Sequence, residues 1–145
     1  MEFSGTYEVR APKQRVWEFI VDPGKIAKCL PELKSLELEG GDQFVATVRV
    51  GVGLIKGDFK FKLAILEKQP PDRARLKGSG TGSGSSVDID TSIELTEVPN
   101  GTRLDYRADV KIGGVMAGLG QRLIGGATEQ AMAQMFDCVR REMED

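Results

Sequence analysis

The strongest constraint on the fold is a regular alternation of apolar and polar residues in the middle of the chain. It occurs in five segments, at residues 44–50, 59–65, 73–77, 87–95 and 104–112. Because successive side chains of a strand point to opposite faces, each segment is predicted to be a strand with one apolar and one polar face. Such strands are typical of an antiparallel sheet that packs on one face and meets water on the other.

Further strand and helix signals surround these five segments. Residues 3–10 also alternate and residues 33–38 do so weakly, which brings the predicted total to seven strands. Between them, Ala11-Pro12 and Asp22-Pro23 each predict the start of a short helix, because proline is tolerated in the first turn and aspartate caps it. Turn signals at residues 40–41, 70–72 and 99–101 join the strands as a meander.

The C-terminal segment is predicted to be a long helix that covers the apolar face of the sheet. Its apolar residues recur at helical spacing, at Met116, Leu119, Leu123, Ala127, Ala131, Met135 and Val139. The whole is an α+β fold, and residues 1–145 are expected to form a single domain without a membrane tail. The polar strand faces carry basic residues at Lys60, Lys62, Arg73, Arg75 and Lys77 and acidic residues at Asp88, Asp90, Asp105 and Asp109. Neighbouring strands are expected to alternate in sign, which predicts cross-strand ion pairs rather than an acid–base site.

Composition excludes several classes of function. The net charge is -2 and no basic cluster is present, which argues against nucleic-acid binding. The chain contains no histidine, so the commonest general base and the commonest zinc ligand are both missing. No catalytic residue, metal site or covalent cofactor is therefore predicted.

The cellular location of the protein and the redox state of its two cysteines are predicted from sequence signals that the chain lacks. No run of eighteen apolar residues and no signal-peptide pattern are present, so the expected location is the cytoplasm. Cys29 and Cys138 are 109 residues apart and fit no metal-binding spacing. They are predicted to be two buried, reduced thiols.

Two glycine-dense segments point to an interior space. Six of the fourteen residues from 113 to 126 are glycine, and the last four are expected inside the long helix, where each costs about 1 kcal/mol relative to alanine. In residues 78–86, Gly78, Gly80 and Gly82 fall at period two on the inward face. Either this strand has a bare inner face beside a cavity shared with the helix, or it is a flexible hairpin end.

Other apolar and aromatic residues leave alternatives open. Val52, Leu54 and Ile55 lie at a predicted turn, where they either form an exposed entrance or contact surface or fold back on the helix. Tyr7 and Tyr106 either orient a polar head group or are buried for packing. Trp17, the only tryptophan, fits the core better than a ligand contact.

Three stretches in this order resemble one known family over essentially the whole chain. They are residues 22–31 (DPGKIAKCLP), 53–59 (GLIKGDF) and 118–124 (GLGQRLI), and they are similar to the CoxG family of carbon monoxide dehydrogenase subunits. The resemblance implies a START-like, helix-grip (SRPBCC) fold with a curved sheet around the long helix. It also implies an accessory protein of a molybdenum-containing carbon monoxide dehydrogenase, which recruits the enzyme to a membrane or delivers a bound quinone. Glu32 departs from the family pattern, which usually has glycine there.

The sequence thus predicts a binding module for a quinone or another lipid. The expected ligand-binding residues are Trp17, Val52, Leu54, Ile55, Phe59, Phe61, Leu76, Gly78, Gly80, Tyr106, Met116, Leu119, Gly120 and Leu123. The expected partners are carbon monoxide dehydrogenase or other molybdenum hydroxylase subunits, with peripheral membrane contact and no nucleic acid. Two alternatives stay open: a cyclase or hydrolase that uses Tyr7, Tyr106 or Arg122, and a ligand-free assembly factor that docks through the apolar hairpin.

Overall fold

A curved antiparallel sheet and a long C-terminal helix make up most of the computed structural model, which describes residues 1–144. The strands are β1 (Glu2–Val9), β2 (Leu33–Leu38), β3 (Gln43–Val52), β4 (Ile55–Gln69), β5 (Arg73–Gly82), β6 (Ser85–Val98) and β7 (Gly101–Gly114). The helices are α1 (Lys13–Ile20), α2 (Pro23–Ile26) and α3 (Gln121–Met143), with 3-10 helices at Ala27–Cys29 and Val115–Leu119. The sheet order is β1-β7-β6-β5-β4-β3-β2, so the predicted meander is confirmed and β1 closes it against β7.

The helix start signals act as predicted at α2. The Asp22 side chain accepts hydrogen bonds from the backbone N–H groups of Gly24 (2.9 Å) and Lys25 (3.2 Å), and Pro23 occupies the first helical position. Asp22 thereby satisfies two donors that the helix itself cannot. At α1, Pro12 is the residue just before the helix.

The start of the long helix differs from the prediction. Gly113 and Gly114 end β7, Gly118 lies in the 3-10 segment, and Gly120 precedes α3 with φ 89°. Gly114, with φ 77°, and Gly120 both adopt the left-handed backbone region, which interrupts a helix. Only Gly125 and Gly126 are inside α3, so the helix-propensity penalty is about 2 kcal/mol rather than 4.

The buried stripe of α3 is also shifted from the predicted one. Leu123 is 44% exposed, whereas its neighbour Ile124 is 5% exposed. The helix α3 begins only at Gln121. The residues of α3 that are buried are Ile124, Val139 and Met143. Met116 is buried as predicted, but on the 3-10 segment.

A disulfide joins Cys29 to Cys138, so the prediction of two reduced thiols was wrong. The bond links the end of the first 3-10 helix to the C-terminal half of α3, with Cα atoms 5.4 Å apart. A pair so far apart in sequence is brought together only by the tertiary fold, and its spacing carries no signal.

The polar face of the sheet carries the predicted ion pairs. Arg75 on β5 donates hydrogen bonds to both carboxylate oxygens of Asp90 on β6, at 2.8 and 2.5 Å. The hydrogen bond from Arg75 holds the pKa of Asp90 below its usual range. Arg73 pairs with Glu94 directly opposite, at 3.4 Å. These contacts stabilise the sheet surface without forming an acid–base site.

Candidate functional site

Six of the predicted site residues meet at one end of the molecule, where α3 begins. Val52, Phe59 and Met116 are buried there together with Val48, Val87, Val110 and Ile124, and Ile55, Phe61 and Leu119 pack against them partly buried. We call this group the entrance cluster. Val48, Val87, Val110 and Ile124 were not among the predicted site residues, although the strand alternation placed the three valines on the apolar face.

In the hairpin between β3 and β4, one apolar residue folds back into the interior and another is exposed, so both alternatives left open by the sequence occur. Val52 is 8% exposed and folds into the entrance cluster, whereas Leu54 at the apex is 99% exposed. A Cβ atom built on Gly53 would lie 3.2 Å from Leu123 Cδ2 and 3.9 Å from Leu119 Cδ2. The hairpin apex therefore lies beside Leu119 and Leu123, close to Gly120, where a Cβ would meet open space.

Trp17, Tyr106 and Leu76 lie away from the entrance cluster. Trp17 and Tyr106 belong to a second cluster, around α1 and the C-terminal half of α3, and Leu76 packs against its edge. Trp17 is 5% exposed, and it borders a groove of about 650 Å³ between α1, α2 and the β2–β3 turn. Trp17 is thus a core residue of the opposite end.

The glycines of β5 do not leave the empty volume that the sequence suggested. In register, Gly78 lies opposite Leu63 and Gly80 opposite Phe61. A Cβ on either glycine would overlap the side chain of its β4 partner. The bare strand face is therefore filled by Leu63 and Phe61, which lie flat across it, and segment 78–82 is regular strand rather than a flexible hairpin end.

Space remains between the middle of the sheet and the helix. Phe61, Leu76 and Ile89 face inward, yet each keeps accessible surface and is only half-buried. On the facing helix, Ala131 and Met135 are half-buried as well. An inward-facing side chain that keeps accessible surface borders a space large enough for water. These apolar residues therefore keep some accessible surface on the side of the sheet that faces α3.

Two small residues lie next to Leu76 on the inner face of the sheet. Leu76, Thr91 and Ala108 lie side by side on β5, β6 and β7. Thr91 and Ala108 are 7% and 0% exposed, so neighbouring side chains cover them, and Phe59 and Leu104 are buried towards the two ends of the inner face. The sequence alternation showed which residues face inward but gave no weight to their size.

Three aromatic rings stack between the inner face of the sheet and α3 near Tyr7. The Tyr7 and Phe136 ring centroids are 4.1 Å apart, and those of Tyr106 and Phe136 are 5.3 Å apart. Burial, followed by the nearby Tyr7 and Glu129, raises the pKa of Tyr106. Tyr106 therefore stays protonated at neutral pH and can donate a hydrogen bond, but it is unsuited to act as a base.

The remaining predicted polar residue and the metal-ligand inventory fit the same picture. Arg122 is exposed at the start of α3 and does not belong to the interior clusters. Among residues 1–144, no three His, Cys, Asp or Glu side chains are placed to hold a metal ion. Within the same described range, no helix combines the length and apolar character needed to span a membrane. The residues in the interior clusters can make apolar contacts with a ligand, and a few hydroxyl groups, such as that of Tyr106, can form hydrogen bonds.

Comparison with known structures places the fold. A conserved protein from Geobacillus kaustophilus superposes with a TM-score of 0.91 at 28% identity, over 99% of this chain and 95% of that one. A START superfamily protein from Mycobacterium smegmatis gives 0.77 at 13% identity, over 99% and 97% of the two chains. A protein from Thermus thermophilus gives 0.73 at 15% identity, over 99% and 97%. The predicted START-like, helix-grip fold is confirmed.

Sequence comparison gives the family. No curated protein matches this chain. The family model for CoxG, a subunit of carbon monoxide dehydrogenase, matches residues 5–144, which is nearly the whole chain. The protein belongs to the CoxG family of carbon monoxide dehydrogenase subunits.

Proposed function

We propose that this protein is a non-catalytic carrier that holds a quinone-like lipid between α3 and the sheet. The observation that carries the proposal is the accessible surface kept by Phe61, Leu76 and Ile89, although all three face the helix. A ligand chain that covers them gains about 0.8 kcal/mol for each CH₂ removed from water. Tyr106, protonated at neutral pH, supplies a hydroxyl donor for a carbonyl head group.

The carrier serves a molybdenum carbon monoxide dehydrogenase-type complex in this proposal. Support comes from the family, which is named for a subunit of carbon monoxide dehydrogenase. The non-catalytic assignment is supported by the interior residues, which are apolar apart from hydroxyl groups such as those of Thr91 and Tyr106. The protein would hand its lipid to the enzyme or bring the enzyme to the lipid.

Location in the cytoplasm, at the inner membrane face, remains part of the proposal. The Cys29–Cys138 disulfide argues for a less reducing location, since such bonds rarely persist in the cytosol. Trapping free thiols with a mass tag in intact cells decides between the two. An untagged protein would contradict the cytoplasmic location, and two tags per chain would support it.

A pair of helix variants tests ligand binding directly. Ala131 is half-buried on the inner side of α3, and Ala133, two residues on, is exposed. Phenylalanine at 131 would fill the space beside Met135, whereas phenylalanine at 133 would point to solvent. Titration with decylubiquinone, followed by calorimetry, is expected to show binding to the wild type and to Ala133→Phe, and at least tenfold weaker binding to Ala131→Phe.

Two results would contradict the carrier function. One is the absence of any lipid after organic extraction and mass spectrometry of the purified protein, combined with no heat of decylubiquinone binding. The other is equal binding by Ala131→Phe and the wild type, which would move the ligand elsewhere. A protein that binds no lipid but co-purifies with dehydrogenase subunits would instead be an assembly factor.

A further inference from the structure

Three large apolar side chains are exposed at the end of the molecule where α3 begins. Leu54 is 99% exposed, Val115 61% and Leu123 44%. Each is on a different segment: the β3–β4 turn, the 3-10 helix and the first turn of α3. Scattered exposed leucines are ordinary on a protein surface, so their meaning depends on whether they lie together.

Contacts between the segments place these side chains on one surface. Gly53, beside Leu54, lies next to Leu123. The Val115 N–H donates a hydrogen bond to the Gly84 carbonyl at 3.1 Å, in the β5–β6 turn. That turn reaches back to the β3–β4 hairpin, because the Ser83 hydroxyl donates to the Lys56 carbonyl at 3.3 Å. Residues 51–57, 82–86 and 113–126 thus form one continuous surface, which we call the tip surface.

The charge of the tip surface is opposite to that of the chain. Its only charged residues are Lys56 and Arg122, and it has no acidic residue, although the whole chain carries a net charge of -2. Both cations are exposed. Within residues 1–144, neither of them has a carboxylate within 4.0 Å, whereas Asp58, just behind the tip, lies 3.9 Å from Arg49.

Buried residues and a hydrogen bond fix the segments of the tip surface to the interior. Val52 and Met116 are buried in the entrance cluster, and the Met116 N–H donates to the buried Ser85 hydroxyl at 2.9 Å. Gly53 has φ 60°, a conformation that glycine adopts easily and that sets Leu54 at the apex. The exposed leucine therefore lies between Val52 and Ile55, which both pack in the entrance cluster.

We propose that the tip surface docks on the surface of an anionic lipid bilayer. Leu54, Val115 and Leu123 enter the boundary between head groups and acyl chains, and Lys56 and Arg122 contact lipid phosphates. Apolar side chains beside unpaired cations match such an interface, which combines hydrocarbon with negative charge. Docking itself does not require the carrier function. Only its consequence, exchange of the proposed ligand between bilayer and interior at the entrance cluster, rests on that function.

Vesicle sedimentation without quinone tests the docking. The probes are vesicles of phosphatidylcholine alone, and of phosphatidylcholine with about one third phosphatidylglycerol. The wild type is expected to sediment with the anionic vesicles and much less with the neutral ones. Leu54→Ser should weaken that binding about tenfold. The matched control is Leu38→Ser, which alters a leucine that is 62% exposed beside α2 at the other end and should bind as the wild type does.

Charge variants test whether Lys56 and Arg122 contribute to docking by contacting lipid phosphates. Lys56→Glu with Arg122→Glu should weaken anionic-vesicle binding by more than tenfold and leave neutral-vesicle binding unchanged. Lys34→Glu, an exposed lysine on β2, is the control and should have little effect. All these positions are exposed, so circular dichroism should show unchanged folding.

Three outcomes would overturn the proposal. They are no sedimentation of the wild type with anionic vesicles, equal weakening by Leu38→Ser and Leu54→Ser, or self-association that Leu54→Ser abolishes without any vesicle binding. The last would assign the tip surface to a second copy of the chain. Because the vesicles hold no quinone, a failed docking test leaves the decylubiquinone titration to decide the carrier function separately.

Discussion

Replacing Gly80 with alanine tests how the glycines of β5 shape the interior. The Phe61 ring covers the backbone of Gly80, and a Cβ atom there would lie 2.6 Å from Phe61 Cε1 and 2.8 Å from Cγ. The ring must therefore turn away from β5. The direction left open is into the space below α3, where Phe61 already has accessible surface.

The expected change in stability is small because the ring has somewhere to go. Overpacking a core typically destabilises by about 1–3 kcal/mol, and replacing glycine restores about 0.4–1 kcal/mol by restricting the unfolded chain. With relaxation into the interior, we expect Gly80→Ala to lower the free energy of unfolding by about 1 kcal/mol. The displaced ring would take the place of about two methylene groups of ligand, so decylubiquinone affinity should fall roughly tenfold.

Urea unfolding and decylubiquinone titration measure the two effects on the same samples. Gly126→Ala is the matched control, since Gly126 lies inside α3 and an added Cβ would meet open space. It should raise the free energy of unfolding by about 1 kcal/mol and leave the affinity unchanged. Unchanged affinity in Gly80→Ala, or a loss of stability of about 3 kcal/mol or more, would refute the reasoning because either result means that Phe61 does not enter a free interior space.

Three further predictions concern the scaffold. Replacing both Cys29 and Cys138 with serine should lower the unfolding free energy by about 2–5 kcal/mol, because the bond closes a loop of 109 residues; differential scanning calorimetry would show a lower Tm, and an unchanged Tm would contradict it. Asp22→Ala should lower the urea midpoint by the equivalent of about 1 kcal/mol through loss of the α2 cap, and Asp22→Asn should retain most of it. The Arg75–Asp90 pair should stabilise the fold above the usual carboxyl pKa of 3.8 and lose its effect as the pH falls through the lowered pKa of Asp90. Asp90→Asn should therefore flatten the acid limb of the stability profile, and an unchanged limb would contradict the pairing.

The architecture was predictable because it rests on local patterns. Period-two alternation identified six strands and the apolar face of each, with only a weak signal for residues 33–38, and Asp22-Pro23 located the start of α2. The start of α3 was not predictable in this way. Hydrophobic spacing continues smoothly from Met116 to Val139, and it does not reveal that Gly114 and Gly120 adopt left-handed backbone conformations.

The interior was only partly predictable, because it depends on register and tertiary contact. The sequence named Val52, Phe59 and Met116, which meet in the entrance cluster. It also suggested that the glycines of β5 leave empty volume, which fails because the register sets Phe61 over Gly80. The Cys29–Cys138 disulfide was not predictable either, because only the tertiary fold brings the two residues together.

The position of a bound quinone tests the central claim most directly. We would label the methyl groups of leucine and isoleucine and record nuclear Overhauser effects to the alkyl chain of decylubiquinone. Contacts to Leu76 and Ile89, with none to Leu38, are the expected result, because the first two border the space below α3 and Leu38 is exposed beside α2. Contacts confined to exposed side chains such as Leu38 or Leu54, or no contacts at all at saturating quinone, would contradict the account.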